Sequence, residues 1–337
     1  MTRTARRAVA VLMVVGAIAA ALTGCRAPSA PALTGDLAAH DPALVEGEPG
    51  HPSFVYSTGD PHVDGGALQI RRSDDGIHWS WAGSVWKTRP AWIEQTIPGV
   101  PALWAPELIR HGSVWYLYYA ASTFGSNHSA IGLATNTTLD PRAPGYRWVD
   151  RGPVLVSQSS DPYNAIDPAL VVDGAGRPWM AFGSFWSGIQ LVRLTWPTGM
   201  PAKDAAPTTI AGGRAAPDAI EGAQLVQHRG RYYLFVSIGF CCRGDASTYQ
   251  VAVGRSDSVD GPYLDQQGRA MLTGGGTVVL TTAGSRVGPG GESYSHGRLA
   301  FHFYNADRGG TTTPGHRASQ VGARLAGRGL GGIASQP

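Results

Sequence analysis

The five-residue stretch Asp-Pro-Ala-Leu-Val (DPALV) occurs twice without a change, at residues 41–45 and again at residues 167–171. Each copy leads through a turn rich in glycine into a second run in which aromatic and aliphatic residues alternate. Because the copies lie 126 positions apart, they indicate a repeated structural unit rather than one local motif. Each unit begins with a carboxylate, Asp41 in the first copy and Asp167 in the second.

Three more units have the same order of features and begin with glutamate: Glu107, Glu221 and Glu292. We call the acidic residues that begin the five units the acidic starts. Successive acidic starts are 66, 60, 54 and 71 residues apart, which suits one four-stranded blade plus a long loop. The chain has 46 Gly and 24 Pro, and it has no long stretch with a helical period. We therefore predict an all-β, five-bladed β-propeller. The alternative is a β-sandwich whose hairpins match by coincidence.

The innermost strands of a propeller line its central channel, so their equivalent positions converge on the axis. We therefore expect the five acidic starts to ring one end of the channel. Carboxylates that converge without Lys or Arg raise one another's pKa. A pair with different pKa values suits glycoside hydrolysis, in which one group donates a proton to the leaving oxygen and the other activates water or attacks carbon.

Residues 1–24 have the features of a secretory signal, namely three arginines, a short apolar run and small residues at its end. The run is too short to span a bilayer as a stable helix. The block LTGC at residues 22–25 resembles the bacterial lipobox, which predicts that Cys25 is lipidated. The alternative is an ordinary cleaved signal. We interpret residues 26–39, rich in alanine, as a tether.

Charge and cysteine content exclude several classes of function. Three of the 27 basic residues and none of the 24 acidic residues precede Cys25, so the rest of the chain carries 24 of each. This balance offers no basic field for nucleic acid. Cys241 and Cys242 are adjacent, which matches neither a metal-site spacing nor a disulfide framework. They are either both free in a buried strand or joined in a vicinal disulfide.

The blocks around the acidic starts resemble the signature blocks of family 43 glycoside hydrolases. These blocks are HDP at 40–42, WAPE at 104–107, NAIDP at 164–168 and IEG at 220–222. Three longer blocks are similar to those of the family's endo-α-1,5-L-arabinanases: SNHSAIGLATN at 126–136, FGSFWSG at 182–188 and FCCRG at 240–244. The resemblance runs from about His40 to Tyr304.

The resemblance implies a five-bladed propeller and an inverting mechanism. Asp41 matches the general base, Glu221 the general acid, and Asp167 the residue that tunes the pKa of the acid and orients it. Seven residues match substrate contacts: Trp104, Phe124, Gly125, Asn164, Ala165, Ile166 and Ser184. Each also has a plainer interpretation, since aromatic residues pack between blades and polar residues hold loops.

The sequence departs from the family in two places. Family members usually carry a GPGH block whose His helps to hold a metal ion, usually calcium, on the channel axis. Here residues 288–291 read GPGG, and we find no match that lets His302 replace the histidine missing at Gly291. We expect no cofactor for the chemistry, with axial calcium as the alternative. Residues 311–337 form an irregular tail after a catalytic domain at 40–310, which leaves the last blade short of a strand.

The leading hypothesis is a secreted, lipid-anchored endo-arabinanase that cleaves internal α-1,5 bonds. Its expected partners are arabinan or arabino-oligosaccharides, with no nucleic acid and with membrane contact only through a lipid on Cys25. We expect a monomer. The alternatives are an exo-acting α-L-arabinofuranosidase or β-xylosidase of the same fold, and a non-catalytic propeller that binds sugar.

Overall fold

The computed structural model describes residues 32–308 and 322–323, so the predicted signal and Cys25 lie outside the described residues. Nearly all regular structure in these ranges is β-strand. The first sheet has the order β1-β5-β4-β3-β2. Its strands are β1 (Thr34–Gly35), β2 (Ala43–Val45), β3 (Ser53–Ser57), β4 (Gln69–Ser73) and β5 (His78–Ser84). One short helix, α1 (Trp92–Thr96), leads to the second sheet.

Three further sheets follow in chain order. The second contains β6 (Leu103–His111), β7 (Val114–Ala121), β8 (Ser129–Asn136) and β9 (Val149–Ser157). The third contains β10 (Ala169–Val172), β11 (Pro178–Phe182), β12 (Ile189–Thr195), β13 (Met200–Pro201) and β14 (Thr208–Ala211). The fourth contains β15 (Ile220–His228), β16 (Arg231–Ile238), β17 (Gln250–Ser256) and β18 (Thr277–Leu280).

The last sheet is shorter. It contains β19 (Arg286–Ser295), β20 (Arg298–Asn305) and β21 (Gly322–Ala323). The inner strands β2, β6, β10, β15 and β19 contact one another in that order, and β19 contacts β2. The predicted all-β propeller is confirmed. Four full blades occur in the described residues rather than five, because the fifth sheet has only three strands there.

The hydrophobic core lies between the faces of neighbouring sheets. Ile70 of β4 and Tyr119 of β7 belong to one buried cluster, and Met180 of β11 packs in the next with Tyr118. Both faces of a blade are covered by its neighbours. Central strands such as β3 and β8 are therefore buried at every position, instead of alternating between buried and exposed residues. Burial of each large apolar side chain contributes roughly 1.5–3 kcal/mol.

Part of the predicted tether belongs to the first sheet. β1 pairs in parallel with β5, and Ala39 is buried. The Asp36 carboxylate lies 3.1 Å from the Arg71 guanidinium, whose side chain is buried and therefore needs a partner. The expectation that residues up to 39 form a free tether is therefore wrong for residues 34–39. No helix in the described ranges is long and apolar enough to cross a membrane.

Candidate active site

The inner strands share a backbone kink beside the channel. Five residues at the kinks have positive φ: Asp41 (46°), Ala105 (41°), Asp167 (56°), Gly222 (56°) and Gly291 (57°). Residues other than glycine rarely adopt this conformation. These five positions are equivalent between sheets, and only two of them are acidic.

The acidic starts are therefore not equivalent, which corrects the predicted ring. Glu221 precedes its kink by one residue, whereas Glu292 follows its kink by one and Glu107 follows by two. Asp41, Glu107, Asp167 and Glu292 line an axial cavity of about 30 Å³, and Glu221 does not. No Lys or Arg is among the residues that line this cavity.

Glu107 and Glu292 occupy the interior of the channel. Burial raises the pKa of Glu107 to about 7, although the Leu170 amide and Gln224 donate hydrogen bonds to it. Burial likewise raises the pKa of Glu292 to about 8 against the effect of the Ser237 hydroxyl. Both groups are thus held partly or largely protonated at neutral pH, so repulsion between converging carboxylates is relieved by protons.

Asp41 has the opposite environment. The Thr58 hydroxyl donates to its Oδ2 at 2.8 Å, and Nδ1 of His40 lies 2.9 Å from the same oxygen. Burial opposes ionisation, but the charge of His40 and the hydrogen bonds from His302 and His40 outweigh it and lower the pKa of Asp41. About a quarter of the Asp41 side chain is exposed. Asp41 is therefore an ionised carboxylate that water can reach.

Glu221 and Asp167 are linked and share raised pKa values. Burial and then the charges of Glu221 and Asp41 raise the pKa of Asp167, while the Gly222 amide donates to Asp167 Oδ2 at 3.0 Å. Burial also raises the pKa of Glu221, although the hydroxyls of Ser184, at 2.5 Å, and Tyr249 donate to it. The pair therefore holds protons to a higher pH than isolated carboxyl groups do.

One group of His, Cys, Asp or Glu in the described ranges has donor atoms close enough to share a metal ion. It consists of His40, Asp41 and His302, whose atoms lie within 4.8 Å of one another. His40 Nδ1 lies against Asp41 Oδ2 and His302 Nδ1 accepts the Asp41 amide at 3.3 Å, whereas Nε2 of His302 is buried with no hydrogen-bond partner among the described residues. Two nitrogens and one carboxylate do not fit calcium, which takes six to eight oxygen ligands. Gly291 has no side chain to add, and a Cβ there would collide with Asp41.

The seven residues that match substrate contacts differ in how exposed they are. Trp104 is half-buried, Gly125 is exposed, and Phe124 is 85% exposed. Ser184 is buried but binds Glu221. A ligand can therefore reach Trp104, Phe124 and Gly125, whereas Ser184 contacts Glu221 of the acidic pair.

The segment 164–166 is buried. Asn164 donates from Nδ2 to the Ser126 carbonyl, and its Oδ1 has no hydrogen-bond partner in the described residues. Ile166 is 7% exposed. Ala165 is fully buried in the core with Tyr118, so its side chain is not exposed to a ligand, and its substrate contact stays a prediction.

Sequence reasoning missed several neighbours of these carboxylates. Tyr249 and Tyr304 gave no local signal, because their partners are distant in the chain: Tyr249 meets Glu221 within the fourth sheet, and Tyr304 of the last sheet meets His40 before β2. Cys241 and Cys242 form a vicinal disulfide, which decides between the two states that the sequence left open. Its Cys242 amide donates to the Tyr304 hydroxyl at 2.9 Å.

Comparisons with known proteins agree with this geometry. The model of glycosyl hydrolases family 43 matches residues 35–320. The extracellular endo-alpha-(1->5)-L-arabinanase 1 of Bacillus subtilis (strain 168) is 39% identical over 273 residues, which are 80% of this chain and 81% of that protein. The extracellular exo-alpha-(1->5)-L-arabinofuranosidase ArbA of Cellvibrio japonicus is 38% identical over 286 residues, 79% of each protein.

Solved structures give the same result. The structure of Cellvibrio cellulosa alpha-L-arabinanase complexed with arabinohexaose is 35% identical and superposes with a TM-score of 0.77, covering 85% of this chain and 91% of that chain. The match therefore extends over sequence, fold and most of both chains. The chain belongs to family 43 of the glycosyl hydrolases.

Proposed function

We propose that this glycosidase is an inverting endo-α-1,5-L-arabinanase that hydrolyses internal bonds of arabinan or arabino-oligosaccharides. The observation that carries the proposal is the split in protonation: the pKa of Asp41 is lowered, whereas those of Glu221 and Asp167 are raised. Carboxyl groups whose environments separate their pKa values in this way suit a base and an acid on one substrate.

Asp41 acts as the general base in this proposal. Its Oδ2 is held by Thr58 and His40, and its Oδ1 lies 3.4 Å from Nδ1 of His302. Because about a quarter of the side chain is exposed, water can reach the carboxylate, which takes a proton from the attacking water. Glu221 donates a proton to the leaving oxygen. The tuning and orienting role is assigned to Asp167, because its charge interacts with that of Glu221 and its Oδ2 accepts a hydrogen bond from the Gly222 amide, next to Glu221 in the chain. The proton lost by Glu221 and the proton gained by Asp41 balance over one hydrolysis.

Substrate binding is assigned to exposed and half-buried residues of the cleft together with three buried residues beside them. Trp104 and Phe124 offer ring faces, Gly125 lies beside Phe124, and Ser184 and Asn164 offer polar atoms. Ile166 contributes a small apolar edge. The solved relative that holds arabinohexaose supports an oligosaccharide in this cleft.

Endo action is the first candidate because the B. subtilis relative is named for it, and exo action is the second because the C. japonicus relative is nearly as similar. The test follows viscosity and reducing ends of debranched arabinan together. We expect viscosity to fall while few reducing ends have formed. Release of arabinose or a single short product at constant viscosity would favour the exo enzyme, and no release at all would favour a sugar-binding propeller.

We propose that the chemistry needs no cofactor. The protonated Glu107 and Glu292 remove the need for a cation in the axial cavity, and Gly291 supplies no ligand. The arabinan assay in the presence of a chelator should therefore give an unchanged rate. A loss of activity that calcium restores would instead support an axial ion.

The fifth sheet is proposed to act as an incomplete fifth blade, because its inner strand β19 contacts both β15 and β2. The predicted end of the catalytic domain near residue 310 is too early, because β21, inside the predicted tail at 311–337, pairs with β20. We propose a catalytic domain that extends through β21, and a monomeric state.

The localisation proposed is extracellular with a lipid on Cys25, in keeping with the extracellular relatives. Replacement of Cys25 by Ala should release the protein from the membrane fraction with its specific activity unchanged. A variant that stays membrane-bound would contradict the anchor.

A further inference from the structure

A chain of polar groups connects the vicinal disulfide to Asp41. The Cys242 amide donates to the Tyr304 hydroxyl at 2.9 Å, and this hydroxyl lies 3.3 Å from Nε2 of His40. Nδ1 of His40 lies 2.9 Å from Oδ2 of Asp41. The four groups come from the segment before β2, from β20 and from the loop after β16, so the chain spans three parts of the ring.

The chemistry of each group fixes the direction of these hydrogen bonds. A backbone N–H can only donate, so the Tyr304 oxygen accepts it and keeps its own proton to donate. Neutral His40 then accepts at Nε2, which places its proton on Nδ1 and aims it at Asp41. Protonated His40 carries a proton on both nitrogens, so Nδ1 donates to Asp41 in either state.

The surroundings of His40 maintain this arrangement. His302 stacks on His40 with ring centroids 3.9 Å apart, and burial followed by repulsion from His40 lowers the pKa of His302 to about 4. His302 is thus neutral and adds no competing charge. Burial disfavours protonated His40, but the charge and hydrogen bond of Asp41, together with the charge of Glu221, raise the pKa of His40. The Cys242 sulfur lies 3.9 Å from His40 Nε2.

The disulfide constrains the first group of the chain. Cys242 has a φ of 64°, a left-handed conformation that residues with a Cβ rarely adopt. Its covalent bond to Cys241 restricts the backbone at this point. The direction of the Cys242 amide, and with it the position of the Tyr304 hydroxyl, therefore depends on the oxidised pair.

We propose that His40 is a positioning residue for Asp41, locked by Tyr304 and the oxidised Cys241–Cys242 pair, so that Oδ2 is always occupied by a donor and the carboxylate is held in one orientation. This inference rests on the role of Asp41 as the base, which is part of the proposed function. Through Tyr304 and His40, the redox state of the disulfide then affects the acid limb of the pH profile of kcat/KM.

The test compares pH profiles of kcat/KM on debranched arabinan for His40→Ala, His40→Asn and Tyr304→Phe. His40→Ala removes the donor, so the pKa of Asp41 rises, the acid limb moves to higher pH by about one pH unit or more, and kcat at neutral pH falls by about tenfold or more. Asparagine places an amide donor near the position of Nδ1, so His40→Asn should recover part of both effects. Tyr304→Phe retains the ring and should shift the limb in the same direction by a smaller amount.

A purely structural role for His40 would lower the rate without moving the acid limb, and that result would overturn the proposal. Equal profiles for His40→Ala and His40→Asn would overturn it as well. Asp41→Asn is the separate control: if it stays active, the assignment of the base is wrong, whereas an inactive Asp41→Asn with unshifted His40 variants rejects only the positioning role.

A phosphine reductant tests the part played by the disulfide. Reduction should shift the acid limb of the wild-type protein as Tyr304→Phe does, and it should add nothing in the Tyr304→Phe variant, since the effect passes through that hydroxyl. A wild-type profile that reduction leaves unchanged, with the thiols shown to be free, would overturn the role of the disulfide.

Discussion

Two carboxyl groups with opposite surroundings lie at the centre of this molecule. Asp41 receives hydrogen bonds from Thr58 and His40 and has a lowered pKa. Glu221 lies beside buried Asp167, and both pKa values are raised. Neither environment depends on Lys or Arg, so the difference comes from neutral donors, histidine and burial.

Substitution of the two carboxylates should separate their roles. Glu221→Ala should lose about 10²–10⁴-fold of its rate on arabinan, because no acid protonates the leaving oxygen. It should keep more activity on an aryl arabinofuranoside with an activated leaving group, which needs little protonation. Asp41→Ala should lose activity on both substrates, because no leaving group replaces the base. Initial rates on the two substrates measure the contrast.

Ser258→Ala, at an exposed site far along the chain from both carboxylates, serves as the control and should match the wild-type protein. Equal losses on both substrates for Glu221→Ala would mean that Glu221 is not the acid.

Sequence alone located Asp41, Asp167 and Glu221 at the starts of inner strands, because their repeat unit is visible in the chain. It could not assign the hydroxyl of Tyr304 or Tyr249 to the site, since each meets a partner that is distant in the chain, within the fourth sheet for Tyr249 and between the last and first sheets for Tyr304. It also placed Ala165 on the substrate, although the fold buries this residue completely. Local patterns identify a strand, but burial depends on what packs over it.

At the level of single strands, the kink at each inner strand decides where a carboxylate points. The repeat predicted five similar starts, but the left-handed residue is Ala105 in β6, Gly222 in β15 and Gly291 in β19. Because successive residues of a strand point to opposite faces, an offset of one position redirects the side chain. The sequence pattern showed which residues are acidic but not this offset. It therefore predicted one ring of five carboxylates, whereas Glu221 does not line the axial cavity that the other four line.

Hydrogen bonds between the first and last sheets should contribute to stability. The Leu44 and Glu46 amides each donate to a serine hydroxyl of β19, Ser293 and Ser295, at 3.0 Å. The double variant Ser293→Ala/Ser295→Ala should lower the free energy of unfolding by about 1–3 kcal/mol, at roughly 0.5–1.5 kcal/mol for each bond. Urea unfolding measures this loss.

Ser80→Ala provides the matched control, since Ser80 is exposed on β5 and should cost little. If the double variant is as stable as this control, the two hydrogen bonds do not help to hold the first and last sheets together.

For the molecule as a whole, the buried axial carboxyls couple stability to pH. Glu107 and Glu292 have folded pKa values of about 7 and about 8, above the ordinary value of 4.5. Between pH 4.5 and these values the unfolded chain has lost protons that the folded protein keeps. Folding then takes up protons, so stability is greatest in mild acid and falls as pH rises towards 8.

Glu292→Gln should reduce this dependence, because glutamine imitates the protonated carboxyl and does not titrate. The stability of the wild-type protein should fall between pH 5 and pH 8 by up to roughly 1.4 kcal/mol per pH unit for each such group, and the variant should show a shallower slope. Urea unfolding at several pH values measures both slopes. Glu48→Gln, at an exposed position, serves as the control and should retain the wild-type slope. If Glu292→Gln has the same slope as the wild-type protein, Glu292 is not the buried, protonated group described here.

The most direct test of the account is the anomeric configuration of the first product from debranched arabinan, followed by NMR before mutarotation. Our assignment of Asp41 as a base that activates water requires a single displacement at the anomeric carbon. In inverting enzymes the two carboxyl groups lie roughly 6.5–9.5 Å apart, against about 5–5.5 Å in retaining enzymes, to leave room for that water. We predict that the α-linked substrate first yields the β-anomer. An α-anomeric first product would show that a carboxylate attacks carbon directly, and it would contradict the assignment.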